Sequence, residues 1–90
     1  MTKFEVAREV VTIASLLIKF GRDDIVDKRD NFIAFINETM SGDKNWKRLN
    51  QSNFRKIISD LTVEEKGMLV EEFNEGFEDV YRHLTMHTNK

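Results

Sequence analysis

Two histidines, His83 and His87, stand four positions apart near the end of the chain. On a helix this spacing brings both imidazoles to one face, which can hold zinc. The hydrolytic form of that motif needs a glutamate directly after the first histidine, and Leu84 stands there instead. No further ligands are signalled, so the pair reads better as positive charge meeting the C-terminal end of a helix dipole. The acid pairs Asp23-Asp24 and Glu71-Glu72 would serve acid–base chemistry only inside a cleft; on short helices they are solvated faces. Gly21, Gly42, Gly67 and Gly76 are scattered, so no phosphate-cradling loop exists. The absence of cysteine removes disulfides, thiolate nucleophiles and Cys-based zinc sites. No set of nucleophile, base and orienting group can be assembled. The expectation is a protein that is not an enzyme and carries neither cofactor nor metal.

The remaining chemistry is that of contact. Lys44, Trp46, Lys47 and Arg48 form a basic loop around the only tryptophan. Such a loop can grip nucleic acid or an acidic protein surface, or it can be a solvated loop with Trp46 tucked onto the core. Residues 1–49 hold 9 basic and 8 acidic side chains, and residues 50–90 hold 5 and 8. Between Asp60 and Asp79 there are eight acids and one base, Lys66. A chain that reads duplex DNA unaided presents a basic surface, and this half does the opposite.

These residues need helices to position them. Ninety residues without proline favour one domain of uninterrupted helices. Helix one should run from Thr2 or Lys3 to Phe20 and stop at Gly21. A short helix near 24–28 follows. Asn31 or Asp30 should cap a third, with Phe32, Ile33, Phe35, Ile36 and Met40 as its apolar stripe. A fourth helix begins at Gln51 or Ser52 and carries Phe54, Ile57, Ile58 and Leu61. Thr62-Val63-Glu64-Glu65 is a capping box that opens a fifth, with Met68, Leu69 and Phe73 inward. Gly76 lies near the break before, or early in, a sixth helix with Phe77, Val80, Tyr81 and Leu84. The predicted fold class is all-α, a compact single domain (1–90) of five or six short helices whose C-terminal part resembles a helix-turn-helix in its lengths. Residues 1–49 would supply the partner-binding, dimerising helices, and 50–90 the C-terminal ones.

Helix one is too apolar for a single buried face. In Val10 to Phe20 only Thr12, Ser15 and Lys19 fall on a polar strip, which leaves an apolar arc of about 220°. An ordinary surface helix buries a stripe of roughly 100° or somewhat more. The run is too short to span a bilayer. Glu5 and Glu9 upstream, and the lack of a small-residue cleavage site, argue against a leader peptide. On the helical wheel Ala7, Val10, Ala14 and Ile18 form one stripe; Glu9, Ile13, Leu16 and Phe20 form another, with Leu17 between. A carboxylate is rarely left in a core without a partner. The stripe with Glu9 is therefore the candidate docking face, and Glu9 would pair with a base of the partner. Without a foreign partner the same stripe would meet itself in an isologous dimer.

Six stretches in order — Ile18-Lys19-Phe20, Asn31-Phe32-Ile33-Ala34-Phe35, Phe54-Arg55-Lys56, Phe73-Asn74-Glu75-Gly76-Phe77-Glu78, Tyr81-Arg82 and Thr88-Asn89-Lys90 — resemble the AsiA family. These are anti-sigma proteins of T-even-like bacteriophages, and the likeness spans essentially the whole chain. The resemblance implies binding and remodelling of region 4 of the host's housekeeping sigma factor, with loss of −35 promoter recognition. It also implies co-activation of middle promoters with a MotA-type phage activator on RNA polymerase. A homodimer when free and residence in the cytoplasm of the infected host are further implications. Carried over by position, the sigma-facing surface comprises Glu9, Ile13, Leu16, Leu17, Phe20 and Phe35. Arg82 and His83 on the last helix would lie near polymerase or the activator. Thr39 stands where an apolar residue is expected, and the loop from Ser41 to Arg48 departs from the pattern, so its contacts are not carried over. Neither membrane binding nor sequence-specific DNA binding is implied. The alternative from the residues alone is a small helix-turn-helix regulator acting on DNA, and a third is a self-contained dimeric scaffold.

Overall fold

Helix one is bounded by local chemistry at both ends. In the computed structural model, which describes residues 1–86, α1 spans Lys3–Lys19. The Thr2 hydroxyl accepts from the Glu5 backbone N–H while the Glu5 carboxylate accepts from the Thr2 N–H. The backbone and side-chain hydrogen bonds from Thr2 hold the Glu5 carboxyl below its ordinary range. At the other end Gly21 adopts φ 75°. Its N–H reaches the Ile18 carbonyl at 3.0 Å and the Arg22 N–H reaches Leu17 at 2.7 Å. This paired closure is the Schellman arrangement, which a residue without Cβ enters at least cost.

Five further helices follow: α2 (Asp23–Asp27), α3 (Arg29–Thr39), α4 (Gln51–Ser59), α5 (Val63–Phe73) and α6 (Gly76–Met86). There is no strand among the described residues, and the predicted all-helical class holds. The capping box of α5 forms as expected, with Thr62 accepting from Glu65 N–H and Glu65 returning the bond. A box not expected from the sequence opens α4, where Asn50 and Asn53 exchange the same pair of bonds. A capping side chain of this kind is worth about 1 kcal/mol. One expectation fails. Lys28, not Asn31 or Asp30, precedes α3, and no side chain caps it; Asp30 instead pairs with the Gln51 amide at the head of α4.

α1 lies at the centre of the packing and contacts α2, α4 and α6. Ala7, Val10, Val11 and Ala14 are fully enclosed. Around them sit Phe32, Ile33 and Ile36 of α3, Phe54 and Ile58 of α4, Leu69 of α5, and Phe77, Val80 and Leu84 of α6. Phe32 and Phe54 meet edge to face at 6.0 Å, and the Arg29 guanidinium lies 5.0 Å over the Phe54 ring. Arg29 also donates to the Leu84 carbonyl, and its burial lowers its pKa. Arg8 grips the Glu72 carboxylate with two nitrogens at 2.8–3.1 Å, tying α1 to α5. Hydrogen bonding to Arg8 holds Glu72 below the usual carboxylate range. Met68, expected inward, is 54% exposed, because Leu69 alone fills the α5 seat in the core.

The long connection from α3 to α4 is organised by one side chain. Asn37 is the single buried polar residue among those described. Its amide donates to the Leu49 carbonyl at 2.9 Å, and its oxygen accepts from Leu49 N–H at 2.8 Å and from Trp46 Nε1 at 3.1 Å. The loop is thereby clamped to α3 and Trp46 packs against the core. Replacing Asn37 with alanine removes the partner of both buried Leu49 backbone groups and of the half-buried Trp46 N–H, at about 1–3 kcal/mol for each group that water cannot reach. Asn37→Ala should lower unfolding stability by about 2–4 kcal/mol, measured by urea denaturation, with a shift in the emission of Trp46.

Asn74, the C-cap of α5, has φ 56° and ψ −141°. The positive φ of this connection falls at Asn74, and Gly76, expected near the break before or early in the sixth helix, begins α6. This backbone region is close to one that only glycine enters freely, at a cost of about 1–3 kcal/mol for other residues. Asn74→Gly should therefore raise stability by about 1 kcal/mol despite the added unfolded-state entropy, read as a higher urea midpoint.

Candidate functional site

The C-terminal half of α1 carries more apolar surface than its neighbours can cover. Ile13, Leu16, Leu17 and Phe20 recur at i, i+3, i+4 and i+7, a single helical stripe. Phe35 and Thr39, four apart on α3, face the same way. Together these six residues line a shallow depression of about 220 Å³. Its rim is open: Phe20 is 75% exposed, Leu16 50% and Phe35 38%. Large apolar side chains grouped on the surface of a small protein mark a contact surface.

The two stripes expected on helix one divide differently in the structure. Ala7, Val10 and Ala14 are buried as expected, and Val11 joins them. Ile13, expected on the docking stripe, is a core residue at 8% exposure; it forms the floor of the depression, and Leu17 is half-buried in its wall. Ile13 is buried in the core cluster to which α3 contributes Phe32, Ile33 and Ile36. Thr39 takes the edge seat where an apolar group was expected, and its hydroxyl is spent on the Phe35 carbonyl at 2.8 Å.

Glu9 lies one turn before Ile13, half-buried and outside the depression. Among the described residues it makes no hydrogen bond or ion pair within the chain. Arg82 and His83 are not brought to this face. Arg82 is exposed and lies 3.6 Å from Asp79. His83 turns inward, with Nδ1 2.6 Å from the Asp27 carboxylate, and joins α6 to α2. The tie is 56 residues long in sequence, so no local pattern could announce it. His87 lies outside the described residues. No cluster of three or more metal-ligating side chains occurs among those described, and no helix is long and apolar enough to cross a membrane.

The exposure values separate seam from core. Leu16→Asp and Phe20→Asp should each change the stability of the free chain by only about 0.5–1 kcal/mol, as for other exposed positions. Ile13→Asp, which places a charge against α3, should unfold it. Circular dichroism melting of the three variants checks the division; cooperative unfolding lost in Leu16→Asp would move that residue into the core.

Similarity to known proteins bears on what this face meets. A family model described as Anti-Sigma Factor A matches residues 1–85. The chain is 57% identical over 89 residues to the 10 kDa anti-sigma factor of Enterobacteria phage T4, covering 96% of this chain and 94% of that protein. Among solved structures, it matches the T4 AsiA dimer with a TM-score of 0.80 at 54% identity, over the whole of both chains. A structure of the AsiA homodimer matches at 0.79 and 55% identity, covering 99% of this chain and 98% of that one. The T4 AsiA monomer matches at 0.66 and 55% identity, again over the whole of both.

Proposed function

The chain belongs to the AsiA family of anti-sigma factors, and from that premise we propose that it binds region 4 of the host's housekeeping sigma subunit through the apolar face at the end of α1. The observation that carries this reading is the pairing of Leu16 and Phe20, large and exposed, with Phe35 across a groove floored by Ile13. A protein of this family needs a surface for its target, and this is the one where apolar area is left uncovered on a core helix.

The mechanism is occlusion. Full burial of a side chain such as Leu16, Phe20 or Phe35 is worth about 1.5–3 kcal/mol. Burying what Leu16, Phe20 and Phe35 still expose offsets part of the cost of association, and the contact holds a helix of region 4 by its own apolar groups. Those groups are then withdrawn from the packing that shapes region 4 for DNA, and −35 recognition is lost. Glu9, half-buried and without a hydrogen bond or ion pair among the described residues, supplies the charge that selects an arginine or lysine of sigma. The helices within residues 1–49, α1 to α3, form the binding half.

The same face serves self-association when sigma is absent. An isologous contact buries the Leu16–Phe20 stripe of each copy, and sigma displaces one copy. Support comes from the closer match to the subunits of the two dimers, at 0.80 and 0.79, than to the monomer, at 0.66. Once seated on sigma the protein acts with RNA polymerase and a MotA-type activator at phage middle promoters, in the cytoplasm of the infected cell, with Arg82 of α6 toward those partners.

A calorimetric and size-exclusion titration with the isolated region 4 of the host's housekeeping sigma factor tests the reading. The expected outcome is a one-to-one complex that replaces a homodimer. Leu16→Asp and Phe20→Asp should abolish the complex and the dimer together, while Glu9→Lys should weaken the complex by about tenfold. No heat of binding and no co-elution of region 4 with the protein would overturn the proposal.

A further inference from the structure

The chain has a second unpartnered surface, at the opposite end of α1 and of opposite chemistry. Residues 44–56 contain five bases, Lys44, Lys47, Arg48, Arg55 and Lys56, and no acid. Among the described residues none of the five makes an ion pair, although the whole chain carries a net charge of −2. At the edge of this belt lies a depression of about 270 Å³. Val6 of α1, Leu49 of the loop and Ile57 of α4 give it an apolar floor, and Lys3, Lys47 and Lys56 stand on its rim. Lys3 is engaged with Asp60 at 3.1 Å, which leaves Lys47 and Lys56 uncommitted. The Asn37 clamp holds Trp46 and Leu49, so Lys47 sits between two anchored positions. Val6 and Leu16 are ten residues apart on α1, about 15 Å along its axis, so this site and the Leu16–Phe20 face can be filled at once.

We propose that this pocket is a second docking site, for an acidic segment of a partner protein with an aromatic or branched aliphatic anchor flanked by carboxylates. The volume falls just under the roughly 300–1,000 Å³ of small-molecule sites, which suits one inserted side chain. The uncommitted lysines on either side select carboxylates by charge complementarity. Nucleic acid fits less well: phosphates would meet the lysines but leave the apolar floor unfilled. The site goes beyond the sigma-binding reading and does not depend on it.

The probe is a blocked peptide built on Asp-Asp-Phe-Asp-Asp-Leu, titrated into the isotope-labelled full chain and followed by amide chemical-shift mapping. Shifts are expected at Val6, Lys47, Lys56 and Ile57, with the emission of Trp46 as a second reading. Replacing the peptide's Asp by Asn, or its Phe and Leu by Gly, should each weaken binding by about tenfold or more. Lys47→Glu with Lys56→Glu should do the same, while binding of sigma region 4 stays as in the unaltered protein. Should that pair fail to fold, Lys47→Gln with Lys56→Gln makes the same comparison. Shifts that map elsewhere, no binding up to about 1 mM, indifference to the lysine changes, or tighter binding of a short duplex DNA than of the peptide would each overturn the proposal. Loss of sigma binding in the double variant would overturn its independence from the helix-one face.

Discussion

The burial of α1 is the constraint on which the rest of the structure depends. Ala7, Val10, Val11 and Ala14 have no solvent exposure at all, and small or branched side chains at these positions let α4 and α6 approach the helix closely. A chain of this size can bury only about 60–65% of its unfolded surface. Five short helices cannot wrap a central helix along its whole length. Coverage is complete around Ala7 to Ala14 and gives out from Leu16 onward, where Phe20 stands 75% exposed. The exposed apolar face is thus the uncovered end of the core rather than a feature added to a finished fold. Its apolar character is inherited from the same run that nucleates the packing.

Much of this was legible in the sequence because it rests on local rules. The Gly21 stop and the Thr62–Glu65 box each need only neighbouring residues, and both form. The excess apolar arc of α1 needs only helical periodicity. What the arc could not reveal was its division. Ile13 is buried in the core cluster that residues of α3 share, and nothing within α1 specifies that. Met68 likewise faces outward because Leu69 fills the available seat. The Thr2–Glu5 box, by contrast, carried its signal in plain form, Ser/Thr followed three positions later by Glu, and reading it would have fixed the start of α1.

The non-local polar contacts were illegible for a different reason. Asn37 sits in a helix among residues of similar polarity, and its value comes from Trp46 and Leu49, 9 and 12 positions away. Asparagine suits the task since its amide presents both a donor and an acceptor, so a single side chain satisfies both backbone groups of Leu49 as a strand partner would. The His83–Asp27 contact is of the same kind. Both fix irregular or short segments, the α3–α4 loop and α2, that hold few core side chains of their own.

Charge follows a division of labour across the fold. The acids of the C-terminal half are partly consumed within the chain: Asp60 holds Lys3 and Glu72 holds Arg8, so each draws α1 toward the later helices. Exposed pairs of this kind add little to stability, yet they neutralise bases that would otherwise repel the basic belt beside α1. Among the described residues the bases of 44–56 make no such pair, and a belt of like charge in water costs compactness through self-repulsion. Folding alone gives no reason to gather five of them on the one loop and helix that the Asn37 clamp holds rigid. Rigid presentation lowers the entropy lost on association, and that advantage is realised only when something acidic is bound.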